Sequence, residues 1–211
     1  MRELAVEDLG LLAYEPALAL MRERVAARAA GMIPDTVLAV RHPPVITVGR
    51  KRGALANVLA ASDVPVVEVE RGGDVTYHGP GQLVLYPIIA LAGPERDLHR
   101  FLRRLEDSVI ATLERFSLTT GRADGQTGVW VAGRKIASIG IAVSHWVIYH
   151  GVALNIGPDP RFERIRPCGF DSTVMTSLEQ ELGQPIEGPA VRTVWLAELA
   201  RALDRSLGGP R

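Results

Sequence analysis

The sequence contains one cysteine, Cys168, in the run Arg166-Pro167-Cys168-Gly169-Phe170. Proline and glycine on either side favour a turn over a packed face, and a turn can present a thiol with backbone N–H groups free to face an oxyanion. A thiolate attacks thioesters well, and activating it takes a nearby cation or base. Lys135 and His78 are the candidates. Lysine is scarce here: Lys51 and Lys135 are the two, and the other permanently basic side chains are arginine. Arginine keeps its proton in proteins whereas lysine can lose it, so each retained lysine hints at proton handling. Strand alternation through Gly133 to Ala142 places Lys135 with Ala137, Ile139, Ile141 and Val143 on an apolar face, where desolvation lowers an ammonium pKa. Against these readings stand a small buried cysteine and a lysine snorkelling from a strand end.

A second segment, Arg71-Gly72-Gly73-Asp74-Val75-Thr76-Tyr77-His78-Gly79-Pro80-Gly81-Gln82, holds four glycines between Arg71 and Gly81. Such a loop lets a ligand approach the main chain, with hydroxyl, imidazole and amide groups at hand. It lacks the Gly-Lys-Ser/Thr ending of a phosphate loop. A tight turn feeding the next strand, with His78 in a polar network, accounts for it equally well. Further on, Trp146 to Asn155 carries Gly151 and Ala153, small residues that leave room for an extended acyl chain or are ordinary strand positions.

These segments need a scaffold, and 211 residues with 47% apolar and 23% charged side chains suffice for a single domain, 1–211, with a full core. Formal net charge is zero, so no nucleic-acid or membrane partner is expected through long-range attraction. The absence of a long apolar run and of a leader pattern points to a cytoplasmic protein. Helical spacing marks residues Glu15 to Ala30, a helix capped by Asp97 with the face Leu98, Phe101, Leu102, Leu105, Val109, Leu113 and Phe116, a short helix near Thr176 to Leu182, and a last one from Val191 to Leu207. Strands are expected at Thr36–Val40, Val45–Val48, Val66–Val69, Leu83–Ile89, Gly128–Ala132, Arg134–Val143 and Trp146–Asn155, the last three as an antiparallel meander turning at Ala132-Gly133. Strands both in series and between helices predict an α+β fold with a mixed, largely antiparallel sheet and flanking helices.

Together the segments resemble the lipoyl(octanoyl) transferase family. The resemblance runs through His42-Pro43-Pro44-Val45-Ile46-Thr47-Val48-Gly49-Arg50, the run from Arg71 to Gln82, Gly-Val-Trp-Val at 128–131, Lys-Ile-Ala-Ser-Ile-Gly at 135–140, His-Gly-Val-Ala-Leu-Asn at 150–155 and Pro-Cys-Gly at 167–169. It implies a fold similar to the biotin/lipoate protein ligase catalytic domain. It implies that Cys168 carries an acyl thioester while Lys135 activates it and handles its proton. An acyl pocket lined by Arg71, Gly72, Gly73, Asp74, Val75, Thr76, Tyr77, His78, Ser138, Ile139, Gly140, Gly151, Val152 and Ala153 follows from the same likeness. The implied donor is octanoyl-acyl carrier protein, and the acceptors are lipoyl domains of 2-oxoacid dehydrogenase E2 subunits and the glycine cleavage H protein, with no metal or cofactor. Departures are Phe170 after Pro-Cys-Gly, able to alter pocket shape, and Gly125-Gln126-Thr127 before Gly-Val-Trp. An ATP-dependent lipoate ligase is the rival on the same fold, though it has no need of Cys168. A cysteine thioesterase and a non-catalytic acyl-carrier-binding protein are further alternatives. Arg161, Arg164 and Arg166 beside the cysteine are a candidate docking patch for an acidic carrier, or a solvated charged loop.

Overall fold

The computed structural model describes residues 2–61 and 63–208. In chain order the elements are β1 (Arg2–Leu11), α1 (Tyr14–Ala29), β2 (Asp35–Arg41), β3 (Val45–Val48), β4 (Val66–Glu68), β5 (Val75–His78), β6 (Gln82–Ala90), α2 (Leu98–Arg115), β7 (Gly121–Ala123), β8 (Gln126–Val131), β9 (Arg134–Ser144), β10 (Val147–Asn155), α3 (Leu178–Leu182), α4 (Gly188–Ala202) and β11 (Arg205–Leu207). One sheet of eight strands runs β11-β1-β2-β6-β10-β9-β8-β7, and a small sheet runs β4-β3-β5. Pairings of β1 with β2 and β11, and of β3 with β4, are parallel; the rest are antiparallel. The fold is α+β with a mixed, mostly antiparallel sheet, as expected.

The centre of the large sheet follows from composition. β6 (QLVLYPIIA) and β10 (VIYHGVALN) are apolar on both faces and buried almost throughout, as strands covered on two sides must be. One face packs on α2 and α4 through Phe101, Leu105, Val109, Trp195 and Leu199, and the other on α1 through Tyr14, Leu18, Met21 and Val25. Asp97 caps α2 by accepting from the Arg100 N–H at 2.9 Å. The β8–β9 hairpin turns at Ala132 and Gly133, both at positive φ (46° and 79°), the geometry that matches strand twist.

Several elements depart from the sequence expectation, the short edge strand β7 among them. β1 was not anticipated, because its charged, half-exposed pattern (RELAVEDLGL) mimics no buried strand. Residues 75–78 form a strand inside the glycine-rich run. The last helix stops at Ala202, although apolar spacing continues to Leu203 and Leu207. Asp204 takes a φ of 54° there, and Arg205 turns back to pair with buried Asp35 at 2.7 Å, so β11 adds to the edge of β1. The helix near Thr176 is only Leu178–Leu182, capped by Ser177.

Candidate active site

A cavity of about 390 Å³ opens between the large sheet and the segment 71–78. Cys168 stands at its rim on a turn that two contacts pin down: the Arg166 N–H donates to the Asn57 carbonyl at 2.8 Å, and buried Ile165 anchors in the small-sheet core. The cysteine itself holds φ 57° and ψ 21°, a left-handed conformation unusual for a residue with a side chain and a place where strain is stored at functional sites. Lys135 Nζ donates toward its Sγ at 3.8 Å.

Lys135 is only 5% exposed, but not for the reason alternation gives. The pairing of β8 with β9 slips by one residue, Val129 facing Ala137 and Trp130 facing Lys135. The resulting bulge sends consecutive Ile136 and Ala137 into the main core, so Lys135 does not share their face and lies along the cavity wall. Val143, expected on the same apolar face, is exposed. Burial pushes the Lys135 ammonium below its usual pKa, with Cys168 pulling the other way. Its Nζ lies 5.4 Å from the Trp130 ring centroid. Gly128 makes the lysine's path possible: a Cβ there would sit 2.6 Å from Lys135 Cε. The Gly128 N–H is held in turn by buried Glu106 Oε1 at 3.1 Å, a carboxylate neutralised by Arg103 and Arg122. Sequence reading passed over Glu106, though a carboxylate next to Leu105 on the apolar side of α2 was a signal.

The expected lining positions Arg71, Gly72, Gly73, Asp74, Val75, Thr76, His78, Ser138, Ile139, Gly140, Gly151, Val152 and Ala153 all border this cavity. Tyr77 does not. Alternation along β5 turns it into the small-sheet core against Phe162, with its hydroxyl donating to Asp159 at 2.7 Å. Gly151 gives the cavity no extra room: a Cβ there would strike the Leu85 carbonyl of β6 at 2.3 Å, so glycine is needed for strand packing. Phe170 leaves pocket shape alone, packing edge-on against Trp130 outside the cavity. Gly125, Gln126 and Thr127, the other departure from the family pattern, do border it.

Lys51 is no proton-transfer group. It donates to Asp74 Oδ2 at 2.8 Å, and that bond raises its pKa. Asp74 Oδ1 accepts from Asn57 Nδ2 at 2.9 Å, tying the loop to the turn that carries Cys168. Arg71 is buried with no carboxylate partner among the described residues; it donates to the Asp74 and Thr47 carbonyls at 2.8 and 2.9 Å. Of the arginines near the cysteine, Arg161 pairs with Asp159 and Arg164 with Asp63, while Arg166 has no ion pair among the described residues. The inner end of the cavity gathers Tyr14, Tyr86 and His150 beside His78, with His42 packed behind them. The sequence reading assigned Tyr14, His42, Tyr86 and His150 no role; Tyr86 and His150 in the otherwise apolar strands β6 and β10 were the available signal.

A thiol beside a buried amine at the mouth of a largely apolar cavity can form and cleave an acyl thioester. Residues 13–200 match the family model described as the lipoyl protein ligase A/B catalytic domain. The octanoyltransferase of Geobacter metallireducens is 45% identical over 203 residues, covering 96% of this chain and 94% of that protein. The chain belongs to the octanoyltransferase family. A probable octanoyltransferase of Pyrobaculum aerophilum shares 49% identity with it over 201 residues, covering 95% of this chain and 85% of that one. As a member of this family the chain is an acyltransferase. Among solved structures, a putative lipoate protein ligase from T. acidophilum with bound lipoic acid superposes with a TM-score of 0.75 at 13% identity, covering 98% of this chain and 88% of that one. Biotin protein ligase from Aquifex aeolicus in complex with biotin and ATP reaches 0.59 at 13% identity, covering 95% and 70%. At such identity these two establish the fold alone. No helix among the described residues is long and apolar enough to cross a membrane.

Proposed function

We propose that this octanoyltransferase, residues 1–211 acting as one catalytic domain, moves an octanoyl or lipoyl group from acyl carrier protein to a lipoyl-domain lysine through a thioester on Cys168. The observation that carries the reading is the 3.8 Å approach of Lys135 Nζ to Cys168 Sγ at the mouth of the cavity. Lys135, its pKa lowered by burial, takes the thiol proton. The sulfur attacks the carrier thioester carbonyl, and the tetrahedral intermediate collapses with loss of the carrier thiolate, which Lys135 reprotonates. One thioester replaces another, so this half-reaction is close to thermoneutral. The acceptor amine then attacks the Cys168 thioester, gives its proton to Lys135 and expels the cysteine thiolate, which Lys135 reprotonates, and the amide it forms makes the second half downhill. Alternating substrates give ping-pong kinetics. The lipoyl domains of 2-oxoacid dehydrogenase E2 subunits and the glycine cleavage H protein are the acceptors, making this the first step of endogenous protein lipoylation. A reducing cytoplasm suits a single functional thiol.

Intact-protein mass spectrometry after mixing the enzyme with octanoyl carrier protein, without ATP, tests this. The expected result is an octanoyl adduct on Cys168 that hydroxylamine releases and a lipoyl domain discharges. A lipoyl domain octanoylated with no adduct on the enzyme refutes the covalent path. Modification that requires ATP and free acid makes the protein a ligase.

A further inference from the structure

The hydrogen-bond polarity of the cavity's inner end can be read atom by atom. His42 Nδ1 lies 2.7 Å from the Leu12 carbonyl, and its Nε2 lies 2.8 Å from the Tyr86 hydroxyl. A carbonyl only accepts, so Nδ1 carries the proton; Nε2 of the neutral ring accepts, and the Tyr86 hydroxyl is spent as its donor. Gln82 Nε2 donates to the Tyr77 carbonyl at 3.0 Å and to Asn155 Oδ1 at 2.9 Å, which turns its Oε1 toward His78 Nδ1 at 3.0 Å. His78 Nδ1 is therefore the donor, and its Nε2 keeps a lone pair. Tyr86 and His78 both border the cavity, each with an acceptor to spare.

Beside them the Tyr14 hydroxyl has only a slack 3.4 Å contact with His150 Nδ1. His150, 1% exposed and also lining the cavity, has no hydrogen-bond partner at Nε2, which sits 3.6 Å from Glu70 Oε2. It holds this place with a φ of 56° inside β10, a conformation the surrounding structure must sustain. The cluster lies toward the other end of the cavity from the thiol, His150 pairing with Ile141 six positions along β9 from Lys135.

We propose that Tyr14, His78, Tyr86 and His150 form a polar subsite that takes a hydroxyl at the far end of the acyl chain. That hydroxyl is a water beyond an eight-carbon chain or the terminal group of a longer one. The inference rests on the reading of Cys168 as the acylated residue. An apolar chain long enough to enter the subsite strips hydroxyl partners from buried acceptors without replacing them, so the subsite limits apolar chain length.

Transfer to a lipoyl domain from octanoyl, decanoyl and 10-hydroxydecanoyl carrier thioesters tests the subsite in the native enzyme. The expected result is a kcat/KM about tenfold or more higher for 10-hydroxydecanoyl than for decanoyl. Tyr86→Phe and His78→Leu should narrow that gap; if they do not fold, the native comparison decides alone. An enzyme that transfers octanoyl well yet treats the two ten-carbon donors alike overturns the subsite. Failure to transfer octanoyl from any carrier donor overturns the acyl-transfer reading beneath it.

Discussion

At the mouth of the cavity a thiol and an amine stand 3.8 Å apart, whereas at the inner end two tyrosines and two histidines meet. Both ends are buried, yet burial acts on them differently. Lys135 has an acidic partner in Cys168 and the paired carboxylate of Glu106 nearby, so the buried amine keeps an electrostatic reason to hold or release a proton. The histidines face carbonyls, an amide and hydroxyls, and burial pushes His42 and His150 down to about 4, with the Arg71 charge adding to the fall at His150 and Glu70, 3.6 Å away, only partly opposing it. One end is arranged to move protons, the other to keep its protons where they are.

The largest test of that contrast is substitution at the mouth. Cys168→Ser and Lys135→Met should each lower kcat/KM by roughly 10³-fold or more, since removing one member of a nucleophile–base pair costs most of what the pair supplies. His150→Leu should lower octanoyl transfer by no more than about tenfold, because no proton moves at that end. Steady-state kinetics with octanoyl carrier protein decide; equal losses at both ends erase the division.

Gly128→Ala comes next. The added methyl meets the Ala137 carbonyl as well as Lys135 Cε, and Gly128 sits at φ 125°. Displacing the amine by about 1 Å should cost on the order of 10²-fold in kcat/KM. The alkylation rate of Cys168 by iodoacetamide, followed against pH, should change along with it; a variant with lower thermal stability but an unaltered alkylation profile would make Gly128 structural only.

A third prediction concerns acid. With folded pKa values of about 4 against an unfolded value near 6.5, His42 and His150 stay neutral where the unfolded chain takes up protons. The unfolded state then binds more protons, so stability falls as pH drops from about 6.5 to 4, by a few kcal/mol in total. Urea denaturation at pH 7 and pH 5 measures it, and His150→Leu should flatten the dependence. An unchanged slope in that variant would place the acid sensitivity elsewhere. The smallest effect is expected for Tyr14→Phe, which loses only a 3.4 Å contact and should move the unfolding free energy by less than about 1 kcal/mol. A larger loss would mean that the Tyr14 hydroxyl is bound far more tightly than this contact.

Much of this was legible in advance where one local signal sufficed. Continuous apolar runs marked β6 and β10, Asp97 marked the start of α2, and Ala132-Gly133 marked a hairpin, because each depends on a few neighbouring residues. The strand of residues 75–78 was hidden by the glycines on both sides, and β1 by its charges. In the site, Arg71 to His78 and Cys168 were visible as unusual local chemistry, whereas Glu106 and the tyrosines looked like ordinary members of their helix and strands.

The sequence by itself determined the α+β class, the family and the residue types available for acyl transfer, since periodicity and ordered motifs are properties of the chain read along its length. Only the tertiary structure decided which way Lys135 and Tyr77 point. A one-residue bulge in β9 and the pairing of β5 with β3 set those directions, and register is chosen by partners far away in sequence. The proton positions at the inner end were decided there too, because a histidine tautomer is set by the atom its ring nitrogen meets, and Leu12 and Gln82 meet His42 and His78 only once the chain has folded.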